Sequence, residues 1–200
     1  CSSDLNHTIL VVARFLGDLT MKDKAQMRER YRRERREAFV PAVYSNILST
    51  PEVMQATIVA SYVSYGYEPS TVEINRALIK SGKTLLLPRV NGDYIDWIYW
   101  DGDEKKLIEK KKILEPVGEV VSPLPSIDVV IVPALRIDRD GYRLGQGGGY
   151  YDRALPQMSG WKIALVHSGE VTSEVLPRET HDIAVNAAAT PDLIVRFRSN

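Results

Sequence analysis

The stretch Arg143-Leu144-Gly145-Gln146-Gly147-Gly148-Gly149-Tyr150-Tyr151-Asp152-Arg153 concentrates more potential chemistry than any other part of the chain. Four of the 13 glycines fall within five positions here. Without a Cβ the backbone can take positive φ and come close to a ligand. Successive N–H groups in such a loop can converge on an anion. Tyr150 can open a helix, whose N-terminus favours phosphate. Arg143 and Arg153 are planar donors suited to phosphate, and Asp152 offers the hard carboxylate oxygen that Mg²⁺ takes. The spacing is neither a Walker A loop, since no Gly-Lys-Ser/Thr closes it, nor a G-x-G-x-x-G directly after a strand. On these residues alone, a phosphate cradle and a plain turn stand level.

The wider run reads Val132-Pro133-Ala134-Leu135-x-x-Asp138-x-x-Gly141-Tyr142-Arg143-Leu144-Gly145-x-Gly147-x-Gly149-Tyr150-Tyr151-Asp152-Arg153. It resembles the signature of the 5-formyltetrahydrofolate cyclo-ligase family, also called 5,10-methenyltetrahydrofolate synthetases, and the likeness extends over roughly residues 21 to 195. The resemblance implies an enzyme that uses ATP as co-substrate and Mg²⁺ as cofactor to cyclise 5-formyltetrahydrofolate to 5,10-methenyltetrahydrofolate, releasing ADP and phosphate. It implies ATP contacts from Lys24 and Arg28 and from Arg143, Leu144, Gly145, Gln146, Gly147, Gly148, Gly149, Tyr150 and Tyr151. Folate contacts would come from Val63, Glu68, Gln146, Gly147, Gly148, Gly149 and Tyr150. Catalytic parts would fall to Arg143, Tyr151 and Glu68, and the metal to Asp152 and Asp182. Two positions depart from the family pattern: Gly148, where some members carry a basic side chain, and Gln146, where an aromatic or basic residue also occurs. Neither change removes a backbone donor.

The positions of these residues depend on the elements around them. Residues 1–20 read as an appended or disordered extension, with a single domain over 21–200. Met21 to Phe39 predicts a helix of good helix formers, with eight basic and four acidic residues between Lys22 and Glu37. Interleaved acids suit a solvated, ion-paired helix face, but Lys24 and Arg28 stand one turn apart and can face one ligand. Residues 41–55 read as a short helix interrupted near Pro51, and Thr57–Val63 as a buried strand. Gly66 and Pro69 mark a loop that carries Glu68, with Ser70 a candidate N-cap for a helix through Ile79 and Gly82 its C′ residue. This places Glu68 at the carboxyl end of a strand, where open α/β sheets bind ligands.

Thr84–Leu87 predicts a strand ending at Pro88-Arg89, with Arg89 a candidate anion contact. Tyr94–Trp100 predicts another strand, in which Trp97 and Trp100 suit either packing or stacking on a pterin. Glu104–Lys112 reads as charged and partly helical, Ile113–Pro116 as a loop that the resemblance places near the folate, and residues 122–126 as a linker. Ile127–Val132 is nearly continuous in apolar character, as a buried parallel strand requires. After the glycine loop come a short helix over Tyr150–Leu155, a strand over Lys162–Val166, and final strands over Ile183–Ala187 and Leu193–Phe197. His181 is tempting as a base, but the resemblance assigns the metal to its neighbour Asp182.

Alternating strands and helices predict an α/β protein. The resemblance sharpens this to a three-layer, Rossmann-like fold with a mostly parallel sheet, akin to sugar-phosphate isomerases and CoA transferases. The balance of 26 basic and 26 acidic residues gives no global field towards nucleic acid or membrane. A single cysteine excludes an internal disulfide and fits a reducing compartment. No apolar run approaches a transmembrane span. A cytoplasmic monomer is expected, acting on 5-formyltetrahydrofolate, polyglutamylated or not. The competing readings are a nucleotide- or RNA-binding module built on the basic first helix, or another ATP-dependent or sugar-phosphate enzyme on the same fold.

Overall fold

A computed structural model describes residues 24–198, so the expectations for residues 1–20 and the start of the first helix lie outside the described residues. Helix α1 (residues 24–37) is followed by a 3₁₀ turn, Ser45–Ser49, and α2 (Pro51–Gln55). Then come β1 (Ile58–Ala60), α3 (Val72–Lys80), β2 (Thr84–Asn91), β3 (Tyr94–Trp100), β4 (Leu107–Lys110), β5 (Ile113–Pro116) and β6 (Val129–Pro133). The chain continues through β7 (Arg136–Ile137), β8 (Arg143–Leu144), α4 (Tyr150–Ala154), β9 (Trp161–Leu165), β10 (Ala187–Ala189) and β11 (Ile194–Arg196).

Seven strands form one sheet in the order β11-β10-β9-β6-β1-β2-β3. The inner strands from β10 to β2 run parallel, and β3 and β11 close the edges antiparallel. Val129 to Val132 of β6 are all fully buried because both sheet faces are covered. Val129 and Ile131 pack with Val53, Ile74 and Leu78 from α2 and α3. Val130 and Val132 pack with Leu155 and Met158 beyond α4. This alternation builds the three expected layers. Each such side chain, fully buried, contributes about 1.5–3 kcal/mol relative to exposure.

Several local expectations give way to tertiary context. Strand β2 runs through Pro88 to Asn91 and does not stop at Pro88-Arg89. Strand β1 ends at Ala60, opposite Leu86, so beyond that point β2 is paired through β3 alone, with Pro88 opposite Trp97. The missing proline N–H falls on the vacated side and removes no ladder bond. The next N–H on that side, Val90, is accepted by Glu115 Oε1 at 3.1 Å. Ser70 is not the N-cap of α3. Thr71 holds that position, and its hydroxyl donates to Tyr62 O (2.7 Å) and accepts from Ser64 N–H (3.1 Å). Gly82 does follow the helix end at φ +79, with Lys83 N–H reaching Leu78 O at 3.1 Å.

The stretch 104–112, expected to be partly helical, forms a 3₁₀ turn and then β4, whose hairpin partner β5 replaces the expected loop. Residues 183–186 are irregular, and β10 starts only at Ala187. Trp97 and Trp100 are buried in the two core layers, which leaves neither as a stacking surface. Among the described residues no helix is long and apolar enough to cross a membrane.

Candidate active site

The strand order reverses direction between β1 and β6: from β1 the chain steps to β2, and from β6 it steps the other way to β9. Beyond the carboxyl ends of β1, β2 and β6 lies a cleft of about 190 Å³, the switch-point position at which open α/β sheets bind ligands. Its wall takes Tyr62, Val63, Tyr65 and Glu68 from the end of β1, Pro88 and Val90 from β2, and Pro133 from β6. The hairpin β4–β5 adds Ile113, Leu114 and Glu115, and α1 adds Arg28. The rest is the glycine loop with Arg143, Gly145 to Tyr151 and Asp152.

The loop's shape comes from its glycines. Gly147 sits at φ +107, with the Arg28 side chain at ordinary contact distance, 3.4 Å, from where a Cβ would stand. Gly149 sits at φ +66 and opens α4. A residue with a side chain would be strained at either position. Arg143 Nη1 and Nη2 both donate to Asp152 Oδ1 at 2.8 Å, while Arg143 Nε is buried without a partner. Arg28 Nε donates to Gly145 O at 3.2 Å. Burial and the neighbouring Arg32 lower the Arg28 pKa, against the opposing pull of Asp152, Glu179 and Asp182. One guanidinium therefore senses both aspartates expected to hold metal.

Lys24, Leu144 and Asp182 do not line this cleft. Lys24 Nζ is committed to Glu179 (2.7 Å) and Asp182 (3.0 Å). Asp182 Oδ2 also accepts from Glu179 N–H at 2.8 Å. The Leu144 side chain turns away into a small cluster with Tyr31 and Leu176. His181 is exposed, 3.4 Å from Glu179, and does not line the cleft. Arg89 points to Asp96 (3.6 Å) and Gly118 O (2.9 Å). Arg153, flanking the loop in sequence, does not line the cleft either.

Sequence reasoning missed several participants. Arg32 grips Gln146 through Oε1 (3.0 Å) and the backbone carbonyl. Arg35 is buried, binds both oxygens of Glu170 (2.8 and 2.6 Å) and donates to Ala134 O (2.6 Å). Basic residues read as a mostly solvated face thus strap α1 across the loops. Their spacing, every three to four residues from Lys24 to Arg35, was the available signal. Tyr65 gave none, whereas Ile113, Leu114 and Glu115 line the cleft as the resemblance implied, delivered by a hairpin and not by the expected loop.

Opposite the cationic wall lies a different environment. Glu68 Oε2 accepts from Tyr65 N–H at 3.2 Å. Burial pushes the Glu68 carboxyl up to about 7, offset in part by that N–H, by Arg35 and by the Gln146 amide. The Tyr151 hydroxyl is buried without a partner, and burial, then Glu68, push its pKa up. The loop that carries Glu68 is held from behind. His167 Nε2 lies 2.9 Å from Tyr67 O, and Nδ1 lies 2.9 Å from the Tyr44 hydroxyl. A carbonyl only accepts, so Nε2 carries the hydrogen and Nδ1 accepts from Tyr44.

A switch-point cleft, glycine-loop amides beside two arginines, and an acid that titrates near neutrality together define an α/β enzyme suited to an anionic ligand. The profile of the 5-formyltetrahydrofolate cyclo-ligase family matches residues 19–191, and the chain belongs to that family. It is 30% identical over 179 residues to the 5-formyltetrahydrofolate cyclo-ligase of Escherichia coli strain K12, covering 81% of this chain and 97% of that one. It is 32% identical over 142 residues to the enzyme of that name from Mycolicibacterium smegmatis, covering 66% and 73%. The fold superimposes on the solution structure of Aquifex aeolicus 5,10-methenyltetrahydrofolate synthetase with a TM-score of 0.74 at 32% identity, covering 88% of this chain and 94% of that one.

Proposed function

We propose that this chain performs the ATP-driven cyclisation of 5-formyltetrahydrofolate to 5,10-methenyltetrahydrofolate, as a cytoplasmic monomer whose single domain starts near Met21. The observation that carries this reading is the convergence of Arg28, Arg143, the loop Gly145–Gly149, Asp152 and Glu68 on one cleft.

The chemical difficulty is that a formamide carbon is a weak electrophile and its oxygen a poor leaving group. Transfer of the γ-phosphoryl group to the formyl oxygen gives ADP and an iminium phosphate. N10 then attacks the formyl carbon, gives up its proton to solvent or to the departing phosphate, and the carbon–oxygen bond breaks as phosphate leaves. Positioning and charge neutralisation are the protein's main tasks in such a transfer. Arg28 and Arg143 meet phosphate oxygens, and the backbone N–H groups of Gly145 to Gly149 cradle them. Lys24 joins them by leaving Glu179 and Asp182 when phosphate arrives. Tyr150 and Tyr151 line the junction of nucleotide and folate. Glu68 hydrogen-bonds the reduced pterin beside Val63 and orients the formyl group.

Asp152 has the hard-oxygen chemistry that Mg²⁺ takes. That ion commonly takes one or two carboxylates, completing its shell with phosphate and water. Asp152 leaves Oδ2 without a hydrogen bond among the described residues, and Arg28 senses both Asp152 and Asp182. In this role Asp152 and Asp182 would hold the ion, which supplies charge neutralisation at the β- and γ-phosphates when bound. Basic residues of α1 turned towards Glu170, Glu179, Asp182 and Gln146 leave the RNA-binding reading without support. Incubation with 5-formyltetrahydrofolate and MgATP should raise the methenylfolate absorbance and release phosphate in equal amounts. Absence of both at saturating substrates would sink the proposal.

A further inference from the structure

Arg143 and Arg153 bracket the glycine loop symmetrically in the sequence, and the fold sends them to opposite sides. Arg143 enters the cleft and meets Asp152. Arg153 lies across the Tyr150 ring and lines a second chamber of about 260 Å³. That chamber is walled by the edge strand β3 (Tyr94, Asp96, Trp97), the segment around Ser122, and α4 with Gln157 just beyond it. Ile95 and Tyr150 line both spaces, so the two are neighbours across one aromatic ring.

Three observations mark Arg153 as the receptor of an anion in this side chamber. It is oriented: Nε donates to Asp93 O at 2.6 Å and Nη2 to Gly148 O at 2.9 Å, with the guanidinium carbon 5.5 Å from the Tyr150 ring centroid. It is uncompensated: among the described residues no carboxylate pairs with it and Nη1 makes no hydrogen bond. The one acid lining the chamber, Asp96, is paired with Arg89 at 3.6 Å. The two neighbouring glycines leave room for this arrangement. A Cβ at Gly149 would lie 2.7 Å from Arg153 Nη1, and one at Gly148 would lie 2.6 Å from the Tyr150 ring. Neutral carbonyls that hold a guanidinium while leaving its charge unmatched build a carboxylate or phosphate receptor.

Size selects between those two. The main cleft, at about 190 Å³, is smaller than the ~300 Å³ lower range for drug-sized ligands. It cannot enclose a triphosphate and a whole folate together. The phosphate groups belong with Arg28 and Arg143, on the far side of Tyr150, so the part of the ligand that crosses this ring is the folate's other end.

We propose that the side chamber is a carboxylate subsite for the (4-aminobenzoyl)glutamate end of the folate, with Arg153 Nη1 binding a glutamate carboxylate and Tyr150 lying along the aminobenzoyl ring. This rests on the folate reading given above. The chain then discriminates for folates carrying a glutamate tail over the bare reduced pterin.

The test separates the tail from the chemistry. (4-Aminobenzoyl)glutamate, which cannot be turned over, should displace 5-formyltetrahydrofolate in equilibrium dialysis, whereas 4-aminobenzoate should not. Arg153→Gln should raise the KM for 5-formyltetrahydrofolate about tenfold or more, the scale of one charge-assisted hydrogen bond. The KM for MgATP should hold, and Arg153→Lys should recover part of the loss. 5-Formyl-6-methyltetrahydropterin lacks both N10 and the tail, so it can only inhibit, and its inhibition constant should be the same in the parent and in Arg153→Gln. An MgATP KM that rises in place of the folate KM would assign Arg153 to phosphate and overturn the subsite. Equal binding of tailed and tail-less compounds by the parent protein would overturn it as well, even if Arg153→Gln failed to fold. Displacement by (4-aminobenzoyl)glutamate is read without turnover, so its outcome stands apart from that of the cyclisation assay.

Discussion

The two walls of the cleft solve the problem of buried polar groups in opposite ways. On the glycine-loop side Asp152 meets Arg143, and just outside the cleft Asp182 and Glu179 meet Lys24. On the Glu68 side the acid accepts a backbone N–H and feels Arg35 without an ion pair, and the Tyr151 hydroxyl has no partner among the described residues. In the proposed reaction the first wall holds charge in pairs that an incoming phosphate and metal would exchange without exposing bare ions. The second keeps its acid at the boundary between neutral and ionised, where a small change in surroundings moves a proton. The proposed task, to neutralise a triphosphate and to orient an uncharged formyl group, would use both.

The sharpest way to break this contrast is Asp152→Asn. It removes a proposed metal ligand and strands Arg143, whose side chain is 3% exposed and whose Nε already lacks a partner. Turnover should fall by roughly 10² or more, the scale of losing one preorganised charge-stabilising group. Stability should fall by about 2–3 kcal/mol, below the ~3–5 kcal/mol of a fully buried pair because Asp152 touches solvent. Parental turnover across a Mg²⁺ titration would remove Asp152 from the metal site.

The opposite wall is probed by pH. Burial raises the Glu68 carboxyl to about 7, above its ordinary range. Its neutral form is the one the fold accommodates, so its stability contribution is complete below about pH 4.5 and is lost as pH rises through about 7. The melting temperature of the ligand-free protein should therefore decline across that window, and Glu68→Gln should flatten the decline. An unchanged slope in the variant would mean that another group titrates there.

Gly149→Ala tests whether the loop shape itself matters to the paired wall. The φ of +66 should cost about 1–2 kcal/mol, read by denaturant midpoint, while the end of the Arg153 side chain, 2.7 Å from the added Cβ, can swing aside. Turnover should fall together with nucleotide affinity.

Asp182→Asn should have the smallest effect on stability, about 1 kcal/mol, because Lys24 retains Glu179 at 2.7 Å. A loss as large as that of Asp152→Asn would show that the two aspartates are equally supported and that the asymmetry drawn here is wrong.

Much of this was legible in the residues. The apolar run through Val129–Val132 announced a strand buried on both faces, and the glycines of 145–149 announced a loop that approaches something closely. The turn chemistry of Gly82 ended α3 where it was expected. Other features resisted reading because their causes are distant in sequence. Pro88 reads as a strand breaker until β1 stops short beside it, and the basic residues of α1 read as solvated until Glu170, Glu179 and Gln146 arrive from more than a hundred residues away.

Local residue types therefore determined which parts of this chain could be strand, helix or phosphate-binding turn, because backbone propensity and glycine freedom act over a few residues. Only the tertiary structure decided that Lys24 would hold an aspartate, that Glu68 would lie buried beside Gln146, and that Arg143 and Arg153 would part into two chambers. Those outcomes depend on burial and on long-range partners, which sequence spacing does not encode.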